Sequence, residues 1–343
     1  MASNEKLGYH SQNEGDTGSD PSTSNIDDSV VRHESTRYYL PKILEPSIFG
    51  SPLISDITRA VGEFLYNHIG KENVEIEAKL GILVDKNLHT RVSLPVVSET
   101  VINPHEDGWF IFQSNMTTAQ HRNFNNLLNE RVIQTKPPYK GNPVEYKHLY
   151  ETDRFYTGTG VGKVRVTIDQ KTNKVIDGGI VKKTNVAHLN IYSPNTHLDY
   201  RISVNIEKPM EMPNGQVVYE RNKDRLTYIH QLFKIDLTQK QKLFDGTQPP
   251  PDLTHELEVE FLNPQVLLEE KLKIERQQNN RYFDIIDVFL NNEQAPIAFF
   301  RLTHPTKRLR AFEKYKLYFD HALDRLRAVN NDEETLQNIG KPG

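Results

Sequence analysis

The amino-acid sequence predicts a mainly β fold of the α+β class, an antiparallel barrel or sandwich with flanking helices. From Val144 to Phe261 the chain runs in short pieces of period-two alternation, separated by Gly, Asn, Asp or Pro. Helical patterns stand before and after this stretch, and no internal repeat is visible. Many short strands joined by hairpins favour a sheet that packs on itself or closes.

Composition narrows the classes. At 343 residues the chain is long enough for one large domain or two modest ones. Charged residues are 26% and the nine hydrophobic types 36%, leaner than a typical globular chain, so part of it is expected to be unfolded. The 42 basic and 46 acidic residues leave a net charge of -4, which argues against a uniformly basic nucleic-acid coat while allowing a local patch. The absence of cysteine removes disulfide frameworks, zinc–cysteine sites and thiol catalysis, and fits a reducing compartment. No apolar run of about 18 residues exists, so no membrane-spanning helix is expected. The first residues, MASNEKLGYHSQNEGD, lack the basic-then-apolar layout of a secretory signal.

Residues 1–37 are rich in Ser, Asn, Asp, Glu and Gly and read as a disordered tail, with too little apolar surface to offset ordering entropy. A folded domain is expected over 38–302. Ser51 and Pro52 are read as the cap and first turn of a helix carrying Ile54, Ile57, Val61, Phe64 and Leu65 on one stripe and ending at Gly70. Val74 to Leu83 is the first strong strand. A second helix is expected from Thr117 to Gln134, burying Phe124, Leu127, Leu128 and Val132. Residues 135–143 hold prolines and glycine and read as a loop. Seven strand pieces follow, with KVIDGGIVKKT and VAHLNIYSP read separately and RLTYIHQLFKIDLT as one. Asn263-Pro264 opens further helices over 265–293. Residues 303–343 form a last segment whose stretch 306–330 reads as a basic amphipathic helix. Core packing is the commonest fate of such a helix.

The chemistry is concentrated on alternate faces of strands. Glu75, Glu77 and Lys79 share one face of the first strand, and Val74, Ile76, Ala78 and Leu80 the other. Glu256, Glu258 and Glu260 repeat the design in HELEVEF. A charged alternate face is ordinarily the wet side of a half-buried sheet. Two acidic strands in one domain weaken that reading, because Glu is a poor strand former and same-face glutamates repel. Converging carboxylates make an all-oxygen site for a hard divalent cation, Mg2+ or Mn2+. Other strands carry the opposite charge with the same alternation. Lys163 and Arg165 share a face, Lys182 follows with Lys183 read as pointing the other way, and Arg201 and Glu207 share a side. Lys223 pairs with Arg225, and Lys234, Asp236 and Thr238 alternate. Together these residues describe a closed sheet with a charged interior, acidic strands for metal and basic strands for phosphate oxygens.

The run Gly158-Thr159-Gly160-Val161-Gly162-Lys163 imitates a phosphate loop, but its spacing is one residue short and Val164 replaces the Ser or Thr that would hold Mg2+. It joins two strands and is read as a hairpin turn. There is no His-Glu-x-x-His helix and no Gly-x-Ser-x-Gly elbow. His230 and His255 are read as ordinary strand residues that border the site at most.

The set EIEAKLG at 75–81, Arg201-Ile-Ser203, Lys223-Asp-Arg225, Ile235-Asp-Leu-Thr238 and HELEVEF at 255–261 resembles the fungal metal-dependent RNA 5′-triphosphatases, the beta subunits of the mRNA capping apparatus within the triphosphate tunnel metalloenzymes. The resemblance spans about residues 38–302 and implies an eight-stranded antiparallel β-barrel tunnel, usually in a homodimer. It implies metal ligation by Glu75, Glu77 and Glu260, with Glu256 and Glu258 completing an acidic floor near the water nucleophile. Arg165, Lys182, Lys223 and Arg225 would hold phosphate oxygens, and Glu207, Lys234 and Asp236 would orient these groups or the water. Lys79 belongs to the same motif. Leu80 stands where many members have Phe.

The implied activity is removal of the γ-phosphate from triphosphate-ended nascent mRNA. The same superfamily also contains small-molecule triphosphatases, polyphosphatases and adenylyl cyclases, and a non-catalytic phosphate-binding scaffold is the third alternative. Expected partners are the mRNA guanylyltransferase, the phosphorylated C-terminal domain of RNA polymerase II, or both, with no membrane, in the nucleus. Some members recruit the guanylyltransferase through a Trp-containing segment before the catalytic domain; in this chain the single tryptophan is Trp109, inside the folded region. The crowding is expected to raise the pKa values of some of these carboxylates without metal, so that activity rises with pH.

Overall fold

The structure is a computed structural model that describes residues 47–48, 54–158, 162–243 and 253–300, with the backbone alone over 293–300. The chain divides between Pro52 and Leu53, and all the helices and strands named below belong to the second unit. The expected tail over 1–37 and the expected helix over 306–330 lie outside the described residues.

Helix α1, Asp56–Tyr66, starts later than the sequence suggests. Ser55 rather than Ser51 is the cap, and its hydroxyl accepts from the Thr58 amide at 3.1 Å. Ile54 therefore precedes the helix and is exposed, while Val61 and Leu65 are buried. Strand β1, Val74–Asp85, is followed by the short strands β2, Thr100–Ile102, and β3, Phe110–Gln113, neither of which shows a recognisable strand pattern in the sequence. Helix α2, Thr118–Gln134, carries a full capping box. Gln120 accepts from the Thr117 amide at 2.8 Å and returns its own amide to the Thr117 hydroxyl at 3.2 Å.

The remaining strands are β4, Glu145–Gly158; β5, Gly162–Asp169; β6, Lys174–Tyr192; β7, Asp199–Pro209; β8, Gln216–His230; β9, Phe233–Leu243; and β10, Leu253–Phe261. The two pieces over 174–192 form one long strand with a bulge between Asn185 and Ala187. The piece read as RLTYIHQLFKIDLT is instead two strands, turned at Gln231, where φ is 54°. Helices α3, Gln265–Glu275, and α4, Tyr282–Phe300, close the described chain.

Among the described residues eight strands close into an antiparallel barrel in the order β1–β10–β9–β8–β4–β5–β6–β7 and back to β1. The chain's first long strand is the keystone, pairing Glu77 with Glu260 on one side and with Ser203 on the other. Alternation then does the sorting, since every second residue faces the bore and its neighbours face out. The outward residues Ile76, Ala78, Leu80, Tyr200, Ile202, Val204, Leu257, Val259 and Phe261 join a buried cluster with Val61 and Leu65 of α1, Phe124 and Leu128 of α2, Leu267 of α3 and Ile286 and Phe289 of α4. The helices thus cover the outside of one barrel wall, as an inverted barrel requires. The ring of Phe289 contacts those of Phe233 and Phe261 at centroid distances of 5.7 and 4.8 Å. Close approach of α1 and α4 depends on Gly62, where a Cβ would stand 2.4 Å from the Phe283 ring.

Candidate active site

The acidic wall follows from register. Because Glu77 faces Glu260 and Lys79 faces Glu258 across β1 and β10, the carboxylates of both strands enter one bore. The Asn205 amide of β7 donates to Glu75 Oε2 at 2.9 Å and to Glu77 Oε1 at 3.0 Å, tying the two together. Lys183 lies on Glu75 and at 3.1 Å from Glu77 Oε2. Lys79 bridges Glu77 at 3.2 Å and Glu258 at 3.1 Å, and Lys234 lies 3.0 Å from Glu260.

These placements split the carboxyl groups. Burial, reinforced by the charge of Glu77, raises the Glu75 pKa. Burial, with the charge of Glu75 adding to it against Lys234, pushes Glu260 up to about 7. Burial works the same way on Glu77, but the ammonium groups of Lys79 and Lys183 outweigh it and hold that carboxyl below its ordinary value. Glu258 is buried too, yet Lys240, Lys79 and Arg225 hold it well below the usual range. The expectation that some of these carboxyls are raised is met by Glu75 and Glu260, while Glu77 and Glu258, each of which touches two lysines, are lowered.

The rest of the bore is rich in cations, and carboxylates on the inward faces brace them. Arg165 of β5 pairs with Glu207 at 3.0 Å. Lys223 of β8 sits between Glu151 and Asp153 of β4, 2.8 Å from each, and Arg221 reaches Asp153 at 2.7 Å. Arg225 lies 3.4 Å from Asp236, which accepts a 2.6 Å hydrogen bond from Thr227. Lys240 holds Glu256 and, at 3.1 Å, Glu258. Burial, followed by the charge of Arg225, lowers the Lys223 pKa. Arg165 and Arg225 stay cationic despite burial because carboxylates face them. These walls enclose about 360 Å3 of free volume.

Ten of the sequence candidates line this bore: Glu75, Glu77, Lys79, Arg165, Glu207, Lys223, Arg225, Lys234, Glu258 and Glu260. Asp236 and Glu256 share the inward faces of β9 and β10 and are covered by the cations they hold, Arg225, Lys234 and Lys240. Lys182 is misplaced by the sequence reading. Register pairs Arg165 with Val181, so Val181 and Lys183 face inward and Lys182 faces out. His255 also faces outward, its ring 4.8 Å from that of His121 of α2. The false phosphate loop ends one strand and begins the next, with Gly158 paired to Gly162. Lys183, Arg221 and Lys240 also line the bore, with Glu151 and Asp153 supporting its cations, and the sequence reading did not place them there. The alternation Glu151-x-Asp153-x-Phe155 and Tyr219-x-Arg221-x-Lys223-x-Arg225 carries a readable signal for three of these.

The donor chemistry fits a hard cation, since Glu75, Glu77 and Glu260 offer oxygen alone and the raised Glu75 and Glu260 favour an added positive charge. Among the described residues no three such side chains are already gathered at metal-binding distances. The ammonium groups of Lys183 and Lys234 rest on the same oxygens.

Known proteins share this architecture. The profile of the family described as mRNA capping enzyme, beta chain, matches residues 52–295. The mRNA-capping enzyme subunit beta of Schizosaccharomyces pombe is 36% identical over 275 residues, covering 77% of this chain and 88% of that protein. The solved structure of S. pombe Pct1 RNA triphosphatase superposes with a TM-score of 0.69 at 35% identity, covering 76% of this chain and 98% of that one. A second Pct1 structure, in complex with the Spt5 CTD, gives 0.70 at 35% identity, covering 74% and 98%. The match takes in the whole described barrel with both acidic strands, and the chain belongs to the family of mRNA capping enzyme beta chains.

Proposed function

We propose that the tunnel removes the γ-phosphate from the 5′-triphosphate end of nascent mRNA, leaving a diphosphate end ready for cap addition. One observation carries this reading: carboxylates on β1 and β10 share a single bore with guanidinium and ammonium groups on β5, β8 and β9. Such a bore suits an extended polyanion. Arg165, Lys223 and Arg225 hold phosphate oxygens, and the charge growing on them in the transition state meets donors already fixed by Glu207, Glu151, Asp153 and Asp236. Lys183, resting on Glu75 and Glu77, takes the role that the resemblance assigns to Lys182. Glu75, Glu77 and Glu260 would hold a divalent cation, Mg2+ or Mn2+, which would supply charge neutralisation at the γ-phosphate. Glu258, kept ionised by its lysines, accepts from the attacking water and orients it. The water oxygen bonds to the γ-phosphorus as the bond to the bridging β–γ oxygen breaks, and the RNA diphosphate leaves.

The protein is further read as a homodimer working in the nucleus beside the mRNA guanylyltransferase. The Spt5 CTD bound to Pct1 supports a CTD of that kind as a docking partner for this chain as well. RNA labelled at either the β- or the γ-phosphate tests the activity. The reading expects the γ-label as inorganic phosphate and the β-label retained on RNA. Cyclic AMP formation from ATP, preference for inorganic polyphosphate, or binding without turnover would each displace it.

A further inference from the structure

The bore contains a feature that phosphate chemistry does not require. Phe155 of β4 and Tyr219 of β8 both line it, and among the described residues they are its aromatic members. They are a cross-strand pair in register, their rings stacked at 4.4 Å and 17°. The β4–β8 register shifts just beyond them, where Tyr156 faces Val217 and Val218 is the extra residue. A bulge of this kind re-aims side chains and is frequent beside active sites.

Cations surround the pair. Lys163 lies 5.9 Å from the Phe155 ring centre and 5.2 Å from that of Tyr219, with Lys242 5.0 Å from Tyr219 and Arg221 5.2 Å from Phe155. The other bore-lining lysines and arginines named above each hold a carboxylate. Among the described residues Lys163 holds none and is exposed, so its ammonium faces the bore with donors to spare.

Position along the strand gives this cluster its meaning. On β8 the inward residues run Tyr219, Arg221, Lys223, Arg225, and Arg225 adjoins Asp236, whose other neighbour Lys234 holds Glu260. Tyr219 and Arg225 are thus about 20 Å apart at the usual strand rise. A γ-phosphate held at Lys223 and Arg225 leaves the α-phosphate near Arg221 and the first nucleoside at the aromatic pair.

We propose that Phe155, Tyr219 and Lys163 form the nucleoside subsite of the tunnel, in which the first base of the RNA stacks on the Tyr219 ring and Lys163 meets the phosphate that follows it. This fixes the direction in which RNA lies in the bore, and it rests on the activity proposed above. Stacking of this kind does not discriminate among bases, because each has a π-face.

The test compares wild type with Tyr219→Leu on two substrates, triphosphate-ended RNA and inorganic tripolyphosphate. Base–aromatic stacking predicts that the ratio of kcat/KM for RNA to that for tripolyphosphate falls about tenfold, carried by KM. RNA with 2-aminopurine as its first nucleotide is then bound to Glu260→Gln protein. Its fluorescence is quenched there, and the quench is lost in the Glu260→Gln, Tyr219→Leu double variant. Lys163→Met lowers the salt slope of RNA binding by about one. An unchanged ratio together with an unchanged quench overturns the subsite. A wild-type protein that releases no phosphate from RNA refutes the activity instead, and the quench still decides where the base lies.

Discussion

Replacing Glu260 by Gln should stabilise the metal-free protein at alkaline pH while abolishing its activity. The carboxyl of Glu260 is 20% exposed and titrates near 7, against 4.5 for a free glutamate. Between those values the folded chain binds a proton that the unfolded chain has released. The stability contributed by this group is therefore fully present below about 4.5, falls as pH rises through the window and is lost above about 7. A shift of this size corresponds to about 3 kcal/mol. Glutamine keeps the shape of the protonated acid and carries no charge. It also loses the 3.0 Å contact to Lys234, so the expected net gain for Glu260→Gln is about 1–3 kcal/mol at pH 8. Urea unfolding in EDTA at pH 5 and pH 8 measures it. The difference between variant and wild type is the useful quantity. His121, lowered to about 4 by burial and by His255, independently removes stability from both proteins as pH falls below about 6.5. A Glu260→Gln protein less stable than wild type at pH 8 would show that the ion pair with Lys234 outweighs burial, and would refute this reasoning.

Other perturbations follow the same physics. Arg225→Lys keeps a charge but loses the fork that spans Asp236 and Glu151, and kcat should fall about 10²–10³-fold with the fold retained, as single-turnover kinetics and circular dichroism would show. Lys183→Met removes the ammonium lying on Glu75 and Glu77, so Mn2+ measured by calorimetry should bind about tenfold tighter or better. At limiting divalent ion, kcat/KM should rise with pH and level off above about 7 as the raised carboxyls ionise, and this slope should flatten at saturating metal. Gly81→Ala should destabilise the barrel by about 2 kcal/mol or more in thermal unfolding, because its Cβ would stand 2.2 Å from the Gln113 carbonyl oxygen.

The barrel and most of its site were legible because a strand has period two. Glu75, Glu77, Glu258 and Glu260 needed only alternation and the neighbouring apolar residues to be assigned a face. Lys182 and Lys183 are adjacent, and either can face inward until register is known. Their strand runs for 19 residues with irregular pairing on both sides, which no local pattern reports. Arg221 and Lys240 were legible in principle, two positions along from Lys223 and Thr238, by following parity to the strand ends. The first helix cap was misread because Ser51-Pro52 and Ser55-Asp56 are both good starts, and the packing of Thr58 and Gly62 against α4 picks the second. Thr58 donates to Asp287 at 2.5 Å, and Tyr282 donates to the Gly62 carbonyl at 2.8 Å. Strands β2 and β3 are short and pair only with the distant long strands β6 and β1, which no local pattern reports.

The most direct measurement is phosphate release from γ-labelled triphosphate RNA by wild type, Glu75→Ala and Glu260→Ala with Mg2+ or Mn2+ present. If opposed rows of charge inside the barrel perform the reaction, wild type liberates phosphate and each variant loses at least about 10²-fold while staying folded. Folded variants that keep wild-type rates would place the chemistry elsewhere and contradict the account.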